Sequence, residues 1–118
     1  MKHTANGYLT KQGDYLTGHF TNEFGSVIAT VKLSTPVKKP ITAPMAIIEY
    51  EDIKDLEGEL MIEPGSTVGP KQLNLLLKNV ESDTKVTITG KLNMLVPKPV
   101  REFSGTGLFH LRQFVTLQ

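Results

Sequence analysis

Ser26-Val27-Ile28-Ala29-Thr30-Val31-Lys32-Leu33 is the stretch from which the fold is read. Val27, Ala29, Val31 and Leu33 fall on one side and Ser26, Thr30 and Lys32 on the other. Successive side chains leave a strand in opposite directions, so this period of two, rich in β-branched residues, specifies a strand with one buried face. Residues 85–94 repeat the pattern, with Val86, Ile88, Leu92 and Met94 inward and Lys85, Thr87, Thr89, Lys91 and Asn93 outward. Residues 108–117 give a third strand, in which Phe109, Leu111, Val115 and Leu117 oppose His110, Arg112 and Phe114.

Outward from this core, residues 7–11 and 15–20 flank a turn at Gln12-Gly13-Asp14, and Asn22-Glu23-Phe24-Gly25 makes a tight connection into the strand at 26. Residues 35–44 hold three prolines and two lysines, which predicts a basic loop, because proline cannot donate to a strand ladder. Residues 45–50 and 58–62 read as strands separated by an acidic turn over 52–57. Pro70 suits the first position of a short helix, since Leu73, Leu76, Leu77 and Val80 follow i, i+3, i+4, i+7 spacing. Gly65 to Lys71 is then a turn and helix cap. Residues 96–107 form a second basic loop carrying Lys98, Arg101 and Phe103. The summed pattern is one mainly β domain over residues 1–118. The fold expected is a five-stranded OB-type barrel with one short α-helix before the last two strands.

Composition narrows the function. The chain has no cysteine, so disulfides and thiolate chemistry are excluded, and its apolar runs are far too short for a membrane-spanning helix. The first residues lack the apolar segment of a secretory signal, and the expected location is the cytoplasm. The net charge is only +1, yet seven of the 12 acids lie between Glu49 and Glu63, where Lys54 is the one base. The rest of the chain carries 12 bases and 5 acids, a surplus that an anionic polymer would feel.

Catalytic chemistry finds no support. His3, His19 and His110 have no ligand-like spacing, and Glu49-Tyr50-Glu51-Asp52-Ile53-Lys54-Asp55 does not fit a calcium loop. Gly65-Ser66-Thr67-Val68-Gly69-Pro70-Lys71 lacks the glycine spacing of a phosphate loop, and its proline removes an amide donor. Neither an enzyme nor a cofactor or metal is expected.

Two stretches resemble a known family. Tyr15-Leu16-Thr17-Gly18-His19-Phe20 followed by Gly25 to Thr35 is similar to the first two strands of OB-fold single-stranded DNA-binding proteins, particularly the small bacteriophage-encoded type. The segment from Gln72 through Ser82-Asp83-Thr84 into Lys85-Val86-Thr87-Ile88-Thr89-Gly90-Lys91-Leu92 is similar to that family's helix and following strand. The resemblance covers about two-thirds of the chain and leaves out residues 44–68. It implies a protein that coats and protects single-stranded DNA during phage replication and recombination, in the cytoplasm of a bacterial host. It also implies a homodimer or homotetramer that meets recombination or annealing proteins.

Sequence-independent binding of a single strand needs cations along the phosphates and rings on which bases stack. The cations expected to serve are Lys32, Lys38, Lys39, Lys91, Lys98, Arg101 and Arg112, with Lys38/Lys39 and Lys98/Arg101 as opposing jaws of one groove. Tyr8, Tyr15, Phe20, Phe24, Tyr50, Phe103, Phe109 and Phe114 are the available large rings. Phe109 is in phase with the core, and Phe103 and Phe114 are selected for stacking. The competing reading is a non-enzymatic viral structural or assembly barrel that binds protein partners.

Overall fold

A computed structural model describes residues 2–34, 40–101 and 103–113, the side chain of Gln113 excepted. The alternation at Val27, Ala29, Val31 and Leu33 runs as β3 (Gly25–Leu33), with those four side chains buried and Ile28 and Lys32 exposed. Before it, β1 (His3–Gln12) and β2 (Tyr15–Asn22) form an antiparallel meander with β3, turning at Gly13-Asp14 and at Glu23-Phe24. The Asn22 side-chain carbonyl accepts the Phe24 N–H at 2.9 Å, the local bond that suits asparagine to a turn.

The remaining strands are β4 (Thr42–Tyr50), β5 (Glu59–Ile62), β6 (Thr67–Val68), β7 (Gln72–Asn79), β8 (Lys85–Lys91) and β9 (Gly105–Gln113). Their order is β5-β9-β3-β2-β1-β4-β8-β7, and β7 pairs back to β5, closing eight antiparallel strands into a barrel with β6 outside the ring on β7. Closure leaves only short edges unpaired, the recurrent solution for a small all-β chain. Phe20, Leu9, Leu16, Ile48, Leu60, Leu75, Leu77 and Ile88 fill the interior.

Two expectations are corrected. Among the described residues the sheet has nine strands, eight of them in the ring, where five were expected. The predicted helix after Pro70 is strand β7, and the described residues contain no α-helix, only the 3-10 turn Ile53–Leu56. Leu73, Leu75, Leu77 and Asn79 point inward along β7, a period of two. Pairing with β8 on one side and with β5 and β6 on the other satisfies its backbone. The described residues contain no helix long and apolar enough to cross a membrane.

Pro44 also departs from the predicted loop, because it lies within β4. The β1–β4 register shifts between Gly7 and Leu9, pairing them with Ala46 and Ala43, so β4 carries one extra residue there. Proline is tolerated at such a bulge, where no ladder hydrogen bond is required of it. Opposite the bulge, β1 and β2 approach so closely that a Cβ on Gly18 would collide with the Tyr8 carbonyl and the Leu9 side chain.

The barrel's two ends differ. At one end the segment after β8 crosses the mouth: the Leu92 N–H donates to the Lys71 carbonyl, Asn93 to Thr42 and Val96 to Pro70, each at 2.8 Å. Val100 exchanges two backbone bonds with Val68, and Ser104 exchanges two bonds with Ser34. Val96 and Phe103 are buried beneath this lid, with Leu92, Met94 and Val100 packed against the core. At the other end, the Ile53–Leu56 turn packs on β4, β8 and β9 and inserts Leu56. A capping box begins that turn: Asp52 accepts the Lys54 N–H and Asp55 accepts the Asp52 N–H.

Candidate functional site

Strand direction sorts the charges along the barrel. The lidded end gathers Lys11 at the end of β1, Lys32 at the end of β3, Lys71 before β7, Lys91 at the end of β8, and Lys98 and Arg101 on the lid. Among the described residues the acids at this end are Asp14, in the β1–β2 turn, and Glu63, after β5; Glu102, next to Arg101 in the sequence, lies outside the described residues. The opposite end carries Glu23, Glu49, Glu51, Asp52, Asp55, Glu57, Glu59, Glu81 and Asp83, together with Lys2, Lys54, Lys78, Lys85 and Arg112.

Ion pairs follow the same division. Among the described residues they are Lys2 with Glu49 at 3.8 Å and Lys78 with Asp83 at 2.6 Å, both on the acidic half. The hydrogen bond to Asp83 raises the Lys78 ammonium above the ordinary lysine range. Lys11, Lys32, Lys71 and Lys91 form no ion pair among the described residues; Lys32, Lys71 and Lys91 are exposed and Lys11 is half-buried.

Of the cations selected from the sequence, Lys32, Lys91, Lys98 and Arg101 are exposed and share the lidded end. Arg112 is also exposed but stands elsewhere: it pairs with Ser26, six residues along β3 from Lys32, roughly 20 Å at the rise of a strand. Lys38, Lys39 and Phe114 lie outside the described residues. Phe103 is corrected from a stacking ring to a core residue, 6% exposed, because its loop folds back as the barrel's lid and carries the ring inward. Lys98 and Arg101 accordingly ride on a stitched cover instead of a separate jaw.

Register exposes a feature that reading one strand at a time misses. Tyr8 on β1 faces His19 on β2, His19 faces Ile28 on β3, and Ile28 faces His110 on β9. All four are exposed, so three rings and one aliphatic side chain form a row across the outer sheet. Four residues further along both β2 and β3, Tyr15 stands beside Lys32. Tyr8 and Tyr15 were among the available rings, but the histidines carried no signal until pairing aligned them. Lys11 and Lys71 were likewise missed, being isolated lysines in the sequence.

A shallow cavity of about 530 Å³ lies beside the lid, lined by Lys71, Gln72, Lys91 and residues 92–95. A second, of about 410 Å³, opens at the acidic end. Among the described residues no three histidine, aspartate or glutamate side chains gather as a metal site. No family model, curated protein or solved structure matches the chain.

Proposed function

We propose that the barrel binds single-stranded DNA without reading its sequence, and that it coats and protects the strand during phage replication and recombination. The observation that carries this reading is the gathering of Lys11, Lys32, Lys71, Lys91, Lys98 and Arg101 at the lidded end. Cations from separate elements set around one end of the barrel can follow a phosphate backbone across it, and the Tyr8 to His110 row with Tyr15 offers faces for stacking bases. The fold is read as an elaborated OB-type barrel in which a strand, β7, stands where the family has its helix.

Fluorescence anisotropy of a labelled thymidine oligonucleotide, compared with duplex at low and high salt, tests the proposal. Single strands bind more tightly than duplex, and affinity falls with salt by a log–log slope of roughly 0.7 for each phosphate neutralised. Absence of binding at low salt overturns it.

A second reading, an assembly module, is favoured by one observation. Ile28, Leu108 and Met61 are each about half exposed on the adjoining strands β3, β9 and β5, an apolar diagonal suited to a second copy of the chain. Sedimentation of Leu108→Lys distinguishes it: a dimer or tetramer held through this face becomes monomeric, whereas nucleic-acid binding by one barrel persists.

A further inference from the structure

The acidic end has a built cavity that the nucleic-acid reading leaves unused. Its volume of about 410 Å³ falls in the range of small-molecule sites, roughly 300–1,000 Å³. The wall is aromatic: the His3 ring lies 5.7 Å from Phe24, edge-on at 85°, and 5.7 Å from Tyr50, tilted by 35°. Ile53 and Leu111 add apolar surface, and Arg112 stands among the lining residues.

Tyr50 defines what the cavity wants. It is only 3% exposed, and its Oη accepts a hydrogen bond from Asn22 Nδ2 at 2.8 Å. Its own O–H proton meets no acceptor among the described residues. Because Tyr50 lines the cavity, this O–H is free to donate to an acceptor brought from outside. Asn22 does not fill that role, because its amide also donates to the Thr4 carbonyl and accepts the Phe24 N–H. It holds Tyr50 in place. Arg112 offers further donors, while Glu51 and Asp52 line the same cavity with carboxylates.

We propose that this cavity is a second binding site, for an uncharged planar heteroaromatic ring carrying a carbonyl beside an N–H, the edge presented by uracil and guanine nucleosides. The ring lies against His3 and Phe24, its carbonyl accepts from Tyr50 and Arg112, and its N–H donates to a carboxylate of Glu51 or Asp52. The acids of this end repel a phosphorylated form, so the free nucleoside is preferred over the nucleotide. The site does not rest on the basic end or on DNA binding.

Titration of the full chain with uridine, guanosine and uridine 5′-monophosphate, followed by amide and aromatic NMR shifts, tests the proposal. Shifts are expected at His3, Phe24, Tyr50 and Arg112 with the nucleosides, and weaker ones with the monophosphate. Tyr50→Phe should weaken uridine roughly three- to tenfold, the scale of one hydrogen bond, and leave oligonucleotide anisotropy unchanged. Phe24→Ala, at an exposed ring, gives an independent loss without disturbing the core. No shift at the cavity, shifts confined to the lidded end, or equal affinity for the monophosphate would each overturn the proposal. Failure of oligonucleotide binding alone leaves it standing.

Discussion

Asn79 is 1% exposed and has every hydrogen-bonding group of its amide engaged. Nδ2 donates to the carbonyls of Asp55 and Glu57 at 2.9 and 2.7 Å, and Oδ1 accepts from the amides of Glu81 and Ser82. One side chain thus ties the 53–56 turn to the β7–β8 turn. Asn79→Ala leaves buried carbonyls and amides unpaired, so urea unfolding should show a loss of about 2–3 kcal/mol. Ser66 plays a similar part between β5 and β6: its Oγ accepts the Leu76 N–H at 2.9 Å and donates to the Glu63 carbonyl, filling a gap in the ladder. None of this is legible from the sequence, where Ser66 reads as part of a turn and Asn79 as a position within the expected helix. Phe103 shows the same limit in reverse. A ring among Lys98, Pro99 and Arg101 looks exposed until the lid folds over the mouth. Phe103→Ala should therefore cost about 3–5 kcal/mol in the same unfolding assay, as for a buried aromatic; a stability equal to the parent's would return the ring to the surface.

The strands that were legible are those whose alternation is unambiguous. In β3 and β8 the alternation of apolar and polar residues admits only one period; β3 forms where expected, whereas β8 ends at Lys91, short of the expected 94, where the chain leaves the sheet as the lid. Leu73-Asn74-Leu75-Leu76-Leu77-Lys78-Asn79-Val80 admits two, because three consecutive leucines place an apolar residue on either kind of face. What selects the strand is remote: β8 on one side and β5 and β6 on the other, none of them visible in a local window. The two readings make opposite demands on single residues. A helix through Leu73, Leu76, Leu77 and Val80 buries Val80 and turns Leu75 outward, whereas in β7 Leu75 is fully buried and Val80 is 55% exposed. Leu75→Ala should thus lower unfolding free energy by about 2–5 kcal/mol, and Val80→Ala should stay within about 0.5 kcal/mol. The reverse ranking in a urea titration would restore the helix.

Closure of the barrel converts charge bias along the chain into polarity along an axis. The acids between Glu49 and Glu63 are legible as a cluster, but their position follows from topology: the β4–β5 connection turns at the unlidded end and, with the strand ends beside it, holds all of them except Glu63, while β3, β8 and the lid bring cations to the other. Sequence phase grouped Arg112 with those cations because it alternates with Leu111 on the last strand. Phase identifies a face of a strand and carries no information about distance along it, and pairing with Ser26 puts Arg112 at the acidic end. Its separation from Lys32, roughly 20 Å, exceeds twice the screening length of about 8 Å at physiological salt. Arg112→Glu should therefore change oligonucleotide affinity by less than about twofold in 0.15 M salt, since its charge is screened from the lidded end. Lys91→Glu combined with Lys98→Glu, on residues exposed at that end, should weaken the same strand at least tenfold and lower the salt slope by roughly 1.4, two phosphate contacts. Anisotropy across a salt series measures both. Equal losses from the two variants would mean that the strand runs the length of the barrel wall, past the Tyr8 to His110 row, and that the lidded end is only where it begins.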